Sequence, residues 1–105
     1  MISRIWHGYT TKANADAYED LLKKEIFTGI NKRNIKGYKG IELLRRDHKK
    51  EVEFITIMWF DTLEAVQDFA GDDYEQAVVP PAARTLLLRY DERSQHYEVK
   101  HKSRV

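Results

Sequence analysis

Two residues in this chain have the type and the setting to do chemistry on a small ligand. His7 sits in a strand near the N-terminus, and Trp59 ends an apolar strand where a helix begins. An imidazole works as a single base or hydrogen-bond partner near neutral pH. An indole at a strand end beside a helix start is well placed to wall a ligand cleft. The competing readings are a core histidine satisfied by a backbone carbonyl, and a tryptophan that only packs. The other histidines add no partner: His96 and His101 point to opposite faces of one extended segment, and His48 sits on a hairpin tip. No histidine or carboxylate stands two residues from His7, so the sequence supports no metal site.

Nucleophiles are scarce. Cysteine is absent, which removes disulfides, thiolate catalysis and cysteine–zinc centres. Ser3, Ser94 and Ser103 lack a Gly-x-Ser-x-Gly setting. Gly37 and Gly40 are too sparse for a phosphate loop, and no flavin or nicotinamide fingerprint is present. The expectation is chemistry without a cofactor.

The elements that must hold these residues follow from hydrophobic periodicity. Phe54 to Phe60 is an apolar, β-branched and aromatic run, the organising strand. Ile55, Ile57 and Trp59 share one face of it, and Phe54, Met58 and Phe60 the other. Ile2 to Tyr9 is a first strand with Ile5, His7 and Tyr9 on one face, and Ile2, Arg4, Trp6 and Gly8 on the other. Residues 12–34 space Ala15, Tyr18, Leu21, Leu22, Ile26 and Ile30 as a helix, capped by Thr11 or Asn14. Ile41 to Arg46 is a second strand, joined to the organising strand by the polar loop Asp47-His48-Lys49-Lys50. A second helix runs from about Thr62 to Ala70, with Asp61 as a candidate cap and Gly71 as its stop. Pro80 and Pro81 open a further helix that continues through Ala82, Leu86 and Tyr90, with a strand over residues 85–90 as the alternative. Gln95 to Lys100 is the last strand, with Tyr97 and Val99 facing inward.

Two strand–helix–strand units in tandem make an α+β, ferredoxin-like βαββαβ fold with an antiparallel sheet in the order 4-1-3-2. With strands one and three taken as parallel neighbours, and with Ile5, His7, Ile55, Ile57 and Trp59 under the helices, His7 and Trp59 would line one pocket. The other face (Ile2, Trp6, Phe54, Met58, Phe60) would then need a second sheet, which a homodimer packing sheet against sheet supplies.

Composition narrows the partners. The chain has 105 residues and a formal net charge of +1, with its basic pairs scattered among acids. That balance, and a third strand without the glycines and cation of an RNA-recognition run, argue against nucleic acid. No apolar run approaches the roughly 20 residues of a membrane span, and the opening Met-Ile-Ser-Arg-Ile-Trp reads as a strand rather than a signal peptide. A cytoplasmic protein is expected, with one domain over residues 1–101 and a basic tail over 102–105.

The opening Ile-Trp-His-Gly, the turn and strand Gly-Tyr-Lys-Gly-Ile-Glu-Leu-Leu-Arg-Arg, the strand ending in Trp59, the helix Leu-Glu-Ala-Val-Gln-Asp-Phe-Ala-Gly and the terminal His-Tyr-Glu-Val resemble the antibiotic biosynthesis monooxygenase-like family of the dimeric α/β-barrel superfamily. The resemblance covers about residues 1–101. It implies a dimer whose sheets meet in a barrel, with a pocket in each subunit between sheet and helices. It matches Trp59 to a strand-three tryptophan shared by oxygenase and haem-degrading branches. It puts His7 where the haem-degrading branch has an asparagine, and Val79 near the haem-ligand histidine position. Ile55 stands where the quinone-forming branch often has a polar side chain. Haem degradation by the known scheme is therefore disfavoured.

The expected activity is a cofactor-independent monooxygenase acting with O2 on a phenolic or polycyclic aromatic substrate. His7 would be base or polariser and Trp59 a pocket wall or donor. Tyr9, Ile55, Ile57, Tyr74, Arg84 and His96 are further pocket candidates. The alternative is a non-catalytic dimeric module of the same fold that binds a small ligand or serves a stress response.

Overall fold

The sheet is built on β1 (Ile2–Thr10), a central strand with neighbours on both edges. The computed structural model describes residues 1–103, so part of the basic tail expected over 102–105 lies outside the described residues. After β1 come α1 (Ala15–Leu21), a π-helical turn (Leu22–Ile26) and α2 (Phe27–Lys32), which form one continuous helix. β2 (Tyr38–Asp47) and β3 (Val52–Phe60) form a hairpin, followed by α3 (Leu63–Ala70), the short α4 (Pro81–Arg84), β4 (Leu87–Tyr90) and β5 (Gln95–Glu98). The sheet order is β2-β3-β1-β4, the ferredoxin-like arrangement. β4 and β5 share one edge of β1: β4 pairs with Gly8 to Thr10, and β5 with Ile2 to Ile5.

Three expectations about the elements themselves are corrected. β1 and β3 are antiparallel, with Ser3 opposite Trp59 and His7 opposite Ile55. A right-handed crossover makes β1 and β2 parallel, and the tight hairpin then sends β3 back the other way. Residues 87–90 are strand rather than a continued helix. Leu87 packs beside Gly8, and the free edge of β1 takes the segment as a ladder partner despite its helical spacing. α3 is capped by Thr62, whose hydroxyl accepts from the Ala65 amide at 3.1 Å, and not by Asp61.

The largest correction concerns the two sheet faces. The helices cover Val52, Phe54, Met58 and Phe60, all buried, together with Ile2, Arg4 and Trp6. Ile5, His7, Tyr9, Ile55, Ile57 and Trp59 therefore lie on the open face, since alternate residues of a strand point opposite ways. The reason lies in the helix-side neighbours. Tyr18 packs edge-on against Phe54 at 4.9 Å, and Phe69 against Phe60 at 5.9 Å, pairings of large rings that the open-face isoleucines do not offer. Arg45 fixes the same choice on β2. Its guanidinium reaches over the Phe54 ring to Asp16 at 2.8 Å and Glu19 at 3.0 Å on α1. Tyr97, expected inward, points to the open face and is 55% exposed.

Candidate functional site

A cavity of about 60 Å³ lies between the helix-covered sheet face and the roof made by α1, the π turn and α2. Its walls are mostly apolar: Trp6 and Met58 from the sheet, Leu22, Ile26 and Phe27 from the roof, and Phe69 from α3. The π turn shapes this roof. Its wider ring, in which the Phe27 amide bonds the Leu22 carbonyl, lets Leu22, Ile26 and Ile30 all face the sheet. Gly8 shapes the floor. A β-carbon there would meet the Trp6 ring at 2.8 Å and Leu87 at 3.0 Å, so glycine is what lets the indole lie across β1. The Trp6 indole N–H donates to the Asp91 carbonyl at 2.7 Å, and its ring leans on Tyr90 at 5.8 Å.

The polar groups of the cavity are few, as befits a small-molecule site. Thr56, Ser94 and the Tyr18 side chain line it, and burial pushes the Tyr18 hydroxyl up, so it stays neutral. The fourth group is charged. Arg4 is only 4% exposed, and burial pulls its guanidinium down to about 10, which still leaves it a cation at neutral pH. Nη1 donates to the Tyr74 carbonyl and approaches His96 Nε2 at 3.0 Å, while Nη2 donates to the Gln76 carbonyl at 3.1 Å. The guanidinium also lies 5.4 Å from the centre of the Phe69 ring. These contacts hold the segment after α3 against the sheet, which brings Val78 and Val79 to the cavity wall. His96 is held below its ordinary value by burial and by the Arg4 charge, and its buried Nδ1 has no partner among the described residues.

The open face carries a second polar group. His7 Nδ1 lies 2.8 Å from Asp91 Oδ2, and the His7 amide donates to the same oxygen at 3.0 Å. The Gln95 amide donates to that oxygen as well, at 3.4 Å. A carboxylate on Nδ1 selects the tautomer that leaves Nε2 as the basic nitrogen. Both side chains are about a third exposed, at 31% and 32%.

The residues singled out by sequence divide between these places. Tyr74 and His96 gather around Arg4, stacked edge-on at 5.1 Å. Val79 lines the cavity, and Arg84 stands beyond it in a polar cleft of about 430 Å³, donating to the Val79 carbonyl at 3.2 Å. His7, Tyr9, Ile55, Ile57 and Trp59 are on the other side of the sheet. His7 and Trp59 share that face, but their antiparallel register separates them by four positions, roughly 13 Å along the strand. Trp59 lies under Lys102 at 5.0 Å, and Tyr9 under Arg89 at 4.0 Å. Sequence reasoning passed over Arg4, Trp6 and Tyr18. The signal for Arg4 was present: it is a single cation among Ile2, Trp6 and Gly8 on one strand face.

No protein-family model matches this chain, and no curated protein matches it in sequence. Solved structures do match. A Bacillus cereus chain assigned by name to the antibiotic biosynthesis monooxygenases superposes with a TM-score of 0.70 at 12% identity, covering 99% of this chain and 97% of that one. A MhuD mutant crystallised with two manganese protoporphyrin IX groups bound per active site superposes with a TM-score of 0.61 at 18% identity, covering 100% of both chains. The fold is thus that of the antibiotic biosynthesis monooxygenase-like proteins.

Proposed function

We propose that this chain is a cofactor-independent monooxygenase that oxidises a small, electron-rich phenolic or enolisable aromatic with O2. The observation that carries the reading is the aromatic-walled cavity enclosed between sheet and helices, in a fold shared with a chain named as a monooxygenase. Such a substrate, once ionised at oxygen, donates an electron to O2 itself. The reacting ring carbon gives up two hydrogens: one atom of O2 becomes its carbonyl oxygen, and the other leaves with both hydrogens as water, so the substrate supplies all four electrons. The protein's share is desolvation and orientation. Trp6, Phe27 and Phe69 would hold the ring, and the Thr56 and Ser94 hydroxyls would orient its polar substituents. The residues present do not suit haem: among the described residues no imidazole lines the cavity, and Val79 stands near the ligand position.

The open face supports a homodimer as part of the same reading. Ile5, Ile55, Ile57 and Trp59 are half-buried there without a helix above them, and Leu44 is 39% exposed beside them. A second sheet would cover this stripe and enclose His7 with Asp91.

Oxygen uptake with a panel of anthrones and hydroquinones, without added cofactor, tests the activity. Saturable uptake that disappears in a folded Val79→Phe protein, whose cavity is filled, supports it. Ligand-induced thermal stabilisation without uptake would move the assignment to a non-catalytic binding module.

A further inference from the structure

A buried arginine is normally compensated by a carboxylate, because an unpaired charge in a low-dielectric interior is costly. Arg4 is the exception in this fold. Among the described residues its partners are the carbonyls of Tyr74 and Gln76, the His96 ring and the Phe69 face, with no carboxylate in ion-pair contact. The other cation against Phe69, Arg33 at 5.5 Å, is likewise bound to carbonyls, those of Asp68 and Phe69. The acids nearby are engaged elsewhere: Asp73 and Glu75 both pair with Arg93, at 2.8 and 3.1 Å. The cavity therefore has a positive charge on its wall and no fixed negative charge facing it.

Donor counting gives the same result. A guanidinium has five N–H donors. Tyr74 and His96 take the two on Nη1, and Gln76 takes one on Nη2. The Nε–H and the second Nη2 proton remain, and the side chain lines the cavity.

We propose that Arg4 is an anion anchor, and that the cavity takes planar aromatic ligands as their oxyanions, a phenolate, enolate or arene carboxylate, on these two N–H donors. The inference deepens the monooxygenase reading and rests on the same cavity. It specifies the substrate class as an aromatic whose oxygen is ionised when bound. It also gives the reaction a source of activation, since the charged form is the one that donates an electron to O2. The anion is selected from solution, so no base within the cavity is required.

Ligand binding tests this without turnover. Wild-type protein titrated with benzoate and with benzamide should bind the anion at least about tenfold more tightly, as for a charge-assisted pair. 4-Nitrophenol, added at a pH below its own pKa, should acquire the yellow absorbance of its phenolate on binding. Arg4→Met should lose both effects while still binding benzamide, and Arg4→Lys should restore part of the anion preference. Equal affinities in wild type, or a preference that survives Arg4→Met, would overturn the anchor. Should Arg4→Met fail to fold, the wild-type benzoate–benzamide pair and the nitrophenol spectrum still decide. Anion binding without oxygen uptake would sink the monooxygenase reading alone. Uptake with no anion preference would sink the anchor alone.

Discussion

The two faces of β1 and β3 are built from alternate residues of the same two strands, yet they have opposite designs. The helix-covered face is anchored by rings and carries an unpaired cation, Arg4, beside a cavity. The open face mixes isoleucines with Tyr9 and Trp59, is half-exposed, and carries a paired imidazole, His7 with Asp91. Burial by the chain's own helices has closed one face around a charge that a ligand can complete. The other face holds its imidazole against a carboxylate of the same chain, with its apolar surface left for another sheet. Hydrophobicity alone does not distinguish them. What does is the presence of partners of the right size on the helices, Tyr18 and Phe69, for the phenylalanines of β3.

The sharpest way to break this contrast uses neighbouring residues. Phe54→Ala removes a ring that is 0% exposed and should cost about 3–5 kcal/mol in chemical denaturation. Ile55→Ala, one position along on the open face, should cost less than about 1.5 kcal/mol when the chain is measured at a concentration that keeps it single, because its side chain is there partly exposed. Equal costs would mean that both faces are closed by the chain itself. A second test concerns what the open face is for. Ile57→Lys should leave the single chain folded and shift sedimentation from dimer to monomer, since a charge placed in a dry sheet–sheet contact disfavours it. An unchanged sedimentation coefficient would remove the homodimer.

The smallest expected effect is a pH slope from the helix-covered side. His96 is held below its ordinary 6.5, first by burial and then by Arg4. The unfolded chain therefore takes up the proton more readily than the folded one. Stability is complete above about 6.5 and falls as pH drops from there toward the lower folded value. Denaturation midpoints followed across that range should decline more steeply in wild type than in His96→Gln. Parallel curves would show that the Arg4 neighbourhood does not disfavour the imidazolium.

Much of the fold was legible in the sequence because its signals are local. The hairpin loop after Asp47, the stop at Gly71 and the apolar run of β3 each announce themselves within a few residues. Facing was not legible, because both faces of β3 read as apolar and the choice is made by rings on helices remote in sequence. Direction was recoverable but misread. The hairpin and the right-handed crossover together require β1 and β3 to be antiparallel, and that one step moves Trp59 from beside His7 to the far end of the strand. Arg4 went unread for a different reason. A cation in a strand suggests solvent until one knows that the strand is central and that the segment after α3 folds over it.

The wide turn at Leu22–Ile26 amounts to one surplus residue in a helix that would otherwise keep a single phase. Each residue of a regular helix advances the side-chain direction by about 100°. Removing any one of Lys23, Lys24 or Glu25 would let the hydrogen-bond ladder close as ordinary α-helix. The residues beyond it, Phe27 and Ile30 included, would keep their direction toward the sheet, because the wide turn has already absorbed the surplus residue. The roof of the cavity thus tolerates, at this one turn, a change of count that a regular stretch of helix would not. A single deletion at this exposed site, far from Arg4 in sequence, would leave the roof, the floor and its charge in place.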